Sequence, residues 1–388
     1  MNNNKIIYPL ATSSWDQDEI DAIHEVIDSD MFTMNKRVKQ FENEYADFFG
    51  HKHAVMCNSG SSANLLMLAL LRLKYKLEGD IIVPAVGWST SYFPVNQYGF
   101  TLNFVDVSSE TFNIDVKKIE EAITPKTCAI LCINLLGNPC DFDEINKIAH
   151  KHNLVVVEDN CESMGAKYNN KYTGSHGLIG TQSFFFSHHM TTMEGGMVVV
   201  EDDEDANWLR SLRAHGWCRE LPDNNQLFKK TGGWKDNFTF VLPGYAIRPL
   251  EFSGAIGSAQ LKKWNYMMEK RLENKEYFFN KFKNVSWIRL QKKCQESSWF
   301  CFGCVMDGPL KGKRDQVVQA MLQEGIQSRP LASGNWLVQP VMKMMDYYAN
   351  GEYTSAEDIE ENGFFVGNGT TDIKKGIDKM YETIVKIL

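Results

Sequence analysis

The chain is short of every feature that would place it in a membrane, on nucleic acid or outside the cell. Its apolar stretches, such as CAILCINLLG, fall far below the ~20 residues of a membrane span. The opening MNNNKIIYPLATSSWD lacks the basic-then-apolar order of a signal peptide, so a cytoplasmic location is expected. No basic run interrupts a formal charge of -8, which argues against a nucleic-acid partner and leaves room only for small anions held at a local site. The nine cysteines show none of the regular spacing of a disulfide framework, and reduced, buried thiols are expected. Cys301 and Cys304 form the sole CxxC; with no second pair or Cys/His partner at suitable spacing, no metal is expected. That motif sits in SSWFCFGCVM, which reads as a buried strand, and no set of four thiolates for an iron-sulfur cluster stands out. No GxGxxG follows an early strand, which removes the nicotinamide reading. Low-complexity segments and internal repeats are also missing.

What is present is a chain of 388 residues with ordinary globular composition, long enough for a large domain and a smaller one. From about residue 53 to 200, apolar runs (HAVMC, DIIVP, LNFVDV, CAILCINL, LVVVED, TQSFFFS, MVVVED) alternate with helical stretches. Continuously apolar strands in such an alternation predict an α/β domain with a mainly parallel sheet covered on both faces, whose ligands sit at the strands' carboxyl ends. An amphipathic stretch, SAQLKKWNYMMEKRLENKEYFFNKF, reads as an interdomain helix. Beyond it, SWIRL, SSWFCFGCVM, DQVVQAMLQEG and KKGIDKMYETIVKIL predict a smaller α+β domain, with residues 1–255 in the first domain and 256–388 in the second.

Three segments carry chemistry. CNSGSSAN passes a strand end through Gly60 into a helix opened by Ser61, and a helix N-terminus with hydroxyls suits a phosphate. The serines also read as ordinary helix caps. VVVEDNCES ends a strand in Glu158 and Asp159 and continues to Glu162; a carboxylate there is placed to hold a protonated ring nitrogen, or a metal, or a cap. In SFFFSHHMTTMEGGMVVV an aromatic strand runs into His188 and His189 before Glu194 and a glycine pair, which places imidazoles where a ligand could meet them.

In this order the segments resemble the DegT/DnrJ/EryC1/StrS sugar aminotransferases, and the resemblance continues through IIVPAVGWST, ITPKTCAI, EDNCESMGA, RAHGW, LPGYAIRPLE and GAIGSAQL. It implies the aspartate-aminotransferase fold (fold type I) and a pyridoxal 5'-phosphate or pyridoxamine 5'-phosphate cofactor. Gly60, Ser61 and Ser183 would hold the phosphate, Trp88 would stack on the ring, Asp159 would pair with the ring nitrogen and Glu162 would approach the ring hydroxyl. A homodimer with active sites at the subunit interface is also implied, although the asparagine of the family's GYN-x-R segment is Ala246 here, which puts one cross-subunit phosphate contact in doubt.

The family's lysine stands five residues after the serine of its SF strand, and here that position is His188. Lysine tethers the cofactor covalently through its amine; imidazole cannot, but it can act as a base near neutral pH. The same substitution marks the nucleotide-sugar 3-dehydratases of the family, and the missing cysteine pattern points to their iron-free branch. The implied reaction removes the C3 hydroxyl of a nucleotide-linked 4-keto-6-deoxy sugar, GDP-4-keto-6-deoxymannose above all, with L-glutamate as amino donor and ammonia as co-product. On spacing alone His189 could equally be the base; the alignment favours His188. His215, Arg219 and Arg329 are candidate substrate contacts, the arginines for a nucleotide phosphate. The alternatives are a true aminotransferase and an inactive sugar-binding relative.

Overall fold

The computed structural model describes residues 6–388; residues 1–5, the first part of the segment read for a leader, lie outside the described residues. Strands β1 (His53–Cys57), β2 (Asp80–Pro84), β3 (Thr101–Val105), β4 (Thr127–Ile133) and β5 (Val155–Asp159) are separated by helices. A short ribbon, β6 (Lys167–Tyr168) with β7 (Lys171–Tyr172), precedes β8 (Ile179–Ser183) and β9 (Gly196–Val200). The remaining strands are β10 (Ile288–Leu290), β11 (Cys301–Met306), β12 (Ser328–Arg329), β13 (Tyr347–Tyr348) and β14 (Gly363–Gly367).

Eight strands form one sheet in the order β1-β9-β8-β5-β4-β2-β3-β13. Every neighbouring pair from β8 to β13 is parallel; β9 alone runs antiparallel, to both β8 and β1. Every residue of β2, β8 and β9 is buried, the physical reason β2 and β9 read as mainly apolar runs. A second, antiparallel sheet, β10-β11-β14-β12, packs Phe302 and Phe364 against Phe278 and Met380 of the helices Trp264–Phe282 and Lys374–Val385. Between β12 and β14 the chain returns to the first sheet, where β13 pairs with β3.

The sequence reading departs from the structure in two local places. The amphipathic stretch read as one helix is two, Glu251–Lys262 and Trp264–Phe282, broken at Lys263. The break is set by tertiary contacts: Lys263 Nζ donates to Ser14 O (3.2 Å) and to Glu19 (2.7 Å), while Gln260 Nε2 donates to the same carboxylate. The aromatic strand ends at Ser183, and Phe185 and Phe186 stand exposed in the turn that carries the histidines. Cys301 and Cys304 lie on β11 as expected; three positions apart on a strand, they face opposite sides, Cys301 in the core of the first sheet and Cys304 in that of the second.

Candidate active site

The carboxyl ends of β5 and β8, the start of the helix Gly60–Leu73 and the near end of the second sheet enclose a cavity of about 330 Å³. Gly60, Ser61, Trp88, Asp159, Glu162, Ser183, His188 and Arg329 all line it. Residues 150 or more apart in sequence meet there because parallel strands deliver their ends to one edge.

Alternation along β5 separates its two terminal carboxylates. Glu158 is fully buried and accepts from the backbone N–H groups of Gly174 (2.7 Å), His176 (2.5 Å) and Gly177 (2.9 Å), so it is occupied in shaping the loop after the ribbon. Asp159 faces the cavity. Its Oδ2 accepts from Asn64 Nδ2 (2.7 Å) and Ser91 Oγ (2.6 Å), and its Oδ1 from the N–H of Cys161 (3.1 Å). Four neutral-group contacts would compensate it fully, and three leave it capacity for a cationic partner.

Ser59 caps the helix Gly60–Leu73, accepting from the N–H of Ser62 at 3.1 Å. A side chain at Gly60 would place its Cβ 2.6 Å from Ser183 Cβ and 3.0 Å from Cys161 Sγ. The helix terminus therefore reaches Ser183 only because residue 60 has no side chain, and the two form one cradle for an anion. Trp88 precedes the helix Ser89–Gln97 and is 54% exposed, an indole presented to the cavity with a free face.

Glu162 accepts from the N–H of Leu136 at 3.0 Å, yet burial pushes its carboxyl up to about 7, helped by the charge of Asp159. His188 has its Nδ1 buried with no hydrogen-bond partner, and burial pushes the imidazole down to about 4. Its ring leans on Phe300 at 5.1 Å between centroids. His189 does not line the cavity: it is 1% exposed and its Nε2 lies 3.1 Å from Ser298 O. Burial holds it, too, well below the ordinary imidazole range.

His215 and Arg219 stand outside the cavity of their own chain. The His215 ring packs on Trp217 at 4.5 Å, and Arg219 lies 4.2 Å over the same indole while its Nε donates to Asn237 O. Arg329, by contrast, is exposed at the cavity and enters no ion pair among the described residues. The sequence reading passed over Asn64 and Ser91, which orient Asp159, although both follow singled-out residues (Gly60, Trp88) within a helical turn. It also took Phe300 and Cys301 for core alone; nothing in an apolar strand signals that its first residues border a ligand site.

The profile of the DegT/DnrJ/EryC1/StrS aminotransferase family matches residues 13–370. GDP-4-keto-6-deoxy-D-mannose 3-dehydratase of Yersinia pseudotuberculosis is 47% identical over 393 residues, covering 100% of both chains. The enzyme of the same name from Escherichia coli O55:H7 is 47% identical over 386 residues, 98% of this chain and 100% of its own. A solved structure of GDP-4-keto-6-deoxymannose-3-dehydratase with a trapped PLP-glutamate geminal diamine superposes with a TM-score of 0.94 at 47% identity, covering 97% of this chain and 99% of that one.

Proposed function

The chain belongs to the DegT/DnrJ/EryC1/StrS aminotransferase family, and we propose that within it this protein is a pyridoxal-phosphate-dependent lyase, a nucleotide-sugar 3-dehydratase. It removes the C3 hydroxyl of GDP-4-keto-6-deoxy-D-mannose, with L-glutamate as amino donor and with 2-oxoglutarate, ammonia and a 3-deoxy-4-keto sugar as products. The observation that carries this reading is His188 in the cavity at the family's lysine position, with no lysine among the lining residues.

The cradle of Gly60, Ser61 and Ser183 fits the cofactor phosphate, Asp159 its protonated ring nitrogen, Glu162 its ring hydroxyl, and the free face of Trp88 its ring. When bound as pyridoxamine phosphate, the cofactor supplies a primary amine toward the C4 ketone and a ring that takes up electrons. Asp159, held in place by Asn64 and Ser91, faces the ring nitrogen and favours that electron flow. His188, neutral at pH 7, takes a proton from the reacting carbon and returns it to the departing C3 hydroxyl, which leaves as water. Because no side chain tethers the cofactor, the phosphate cradle, the Trp88 face and the ring contacts of Asp159 and Glu162 carry its whole binding.

Residues 1–255 supply these cofactor groups, and residues 256–388 close the cavity through Phe300, Cys301, Phe365 and Arg329, the last placed for a nucleotide phosphate. The working unit is a homodimer; exposed Trp234, Phe238 and Phe240, beside His215 and Arg219, support an apolar contact there, and a role for that pair in sugar binding then lies across the subunit boundary. No helix among the described residues is long and apolar enough to cross a membrane.

The test is incubation of purified protein with the cofactor, glutamate and GDP-4-keto-6-deoxymannose. Ammonia and a product lighter by one oxygen are expected; a stoichiometric amino sugar would establish an aminotransferase instead, and no cofactor absorbance change with glutamate an inactive relative.

A further inference from the structure

Arg271, on the helix Trp264–Phe282, is 3% exposed and is paired with no carboxylate among the described residues. Its Nη1 donates to Phe300 O and to Asn368 O, both at 3.1 Å, and its Nε is buried without an acceptor. Asn368 Nδ2 donates back to Arg271 O (3.2 Å) and to Trp299 O (2.8 Å), so the cation is clamped in one place. A buried guanidinium satisfied only by carbonyls is costly in a low dielectric. The residue that accepts from it, Phe300, has its ring 5.1 Å from His188 and 5.7 Å from His189.

The groups that share the cavity with His188 carry both signs. Asp159 is held by hydrogen bonds from Asn64, Ser91 and Cys161, and Glu162, pushed up to about 7 by burial, is only part ionised at neutral pH. Glu194 and Arg329 border the same cavity with opposite signs, burial keeps the Cys301 thiol protonated, and His189 is itself neutral. His188 Nδ1 has no hydrogen-bond partner, and beside the dominant effect of burial the Phe185 backbone favours the imidazolium while the Arg271 charge opposes it.

We propose that Arg271 is a positioning residue for the reaction, a fixed cation that keeps His188 in its proton-accepting form and drives the accepted proton off the ring toward the departing hydroxyl. A base that must also serve as the acid benefits from a nearby positive charge, because the imidazolium becomes the stronger donor. The inference rests on His188 being the base, which product analysis tests; the ring titration below is read without substrate, so the two fail separately.

The experiment follows the His188 ring by NMR in protein carrying labelled histidine, its signal assigned by loss in His188→Asn, from pH 4.5 to 8. In Arg271→Met the midpoint is expected to rise toward the ordinary imidazole value without reaching it, since burial persists, with the acid limb of kcat moving alongside, whereas Arg271→Lys, which keeps the charge, holds the midpoint low. An unmoved midpoint in folded Arg271→Met overturns the proposal. Should that variant not fold, the parent decides: a His188 midpoint near the ordinary imidazole value overturns it, and so does a midpoint that climbs to that value in Arg271→Lys.

Discussion

At the scale of single residues, the two adjacent histidines differ in what surrounds them and not in what they are. His188 opens onto the cavity with a free Nδ1, while His189 is spent on Ser298 O and the interior. Replacing His188 by Asn is expected to lower kcat by about 10²-fold to 10⁴-fold while cofactor affinity, read from the absorbance of the reconstituted protein, holds. His189→Asn is expected to cost mainly stability, which urea denaturation separates from rate. Gly60→Ala carries the opposite signature. With Ser183 Cβ only 2.6 Å from the new methyl position, the cradle must open, and cofactor affinity should fall roughly tenfold or more, a loss of at least about 1.4 kcal/mol. Unchanged affinity in Gly60→Ala would remove the phosphate from that site.

At the scale of elements, the site depends on where strands stop and on where a helix breaks. β5 ends so that Glu158 and Asp159 face opposite sides, one holding a loop and the other the cavity. The break at Lys263 joins the second helix to the amino-terminal segment through Glu19, which is fully buried. Lys263→Met leaves Glu19 with Gln260 Nε2 and the N–H of Asp16 as donors but without its counter-charge. A loss of about 2 to 3 kcal/mol of unfolding free energy is expected, measurable by denaturant titration at pH 7. An unchanged midpoint would mean that the break is held by other contacts.

At the scale of the whole molecule, burial of imidazoles makes stability depend on pH in one direction. His51, stacked 6.4 Å from Tyr45 with neither ring nitrogen hydrogen-bonded and Nδ1 3.8 Å from Glu201, is pushed by burial from 6.5 down to about 4, as is His188, and burial holds His189 well below the ordinary imidazole range. Above pH 6.5 these rings are neutral folded or unfolded and cost nothing. Between 6.5 and about 4 the unfolded chain takes up protons that the folded one refuses, so stability falls on acidification. His51 alone contributes up to about 3 kcal/mol to this loss. His51→Phe is therefore expected to flatten part of the decline of Tm between pH 6.5 and 4.5, and a Tm profile parallel to the parent's would place the acid sensitivity elsewhere.

Much of the molecule was legible before any coordinates because strands buried on both faces are mainly apolar, which is how β2 and β9 announced themselves. Gly60, Asp159, Ser183 and His188 were legible because each follows a strand end in a recognisable order. Antiparallel β9, the break at Lys263 and the return of β13 to the first sheet were not, since each answers to partners distant in sequence. The chain's own order of residues thus determined the fold type and the histidine in the lysine's place, and pointed to residues that line one cavity. Only the tertiary structure put His188 on the cavity and His189 in the interior, left His215 and Arg219 outside, and bonded Arg271 to the carbonyl of the phenylalanine that packs on His188, because burial and charge are properties of neighbours that the sequence keeps apart.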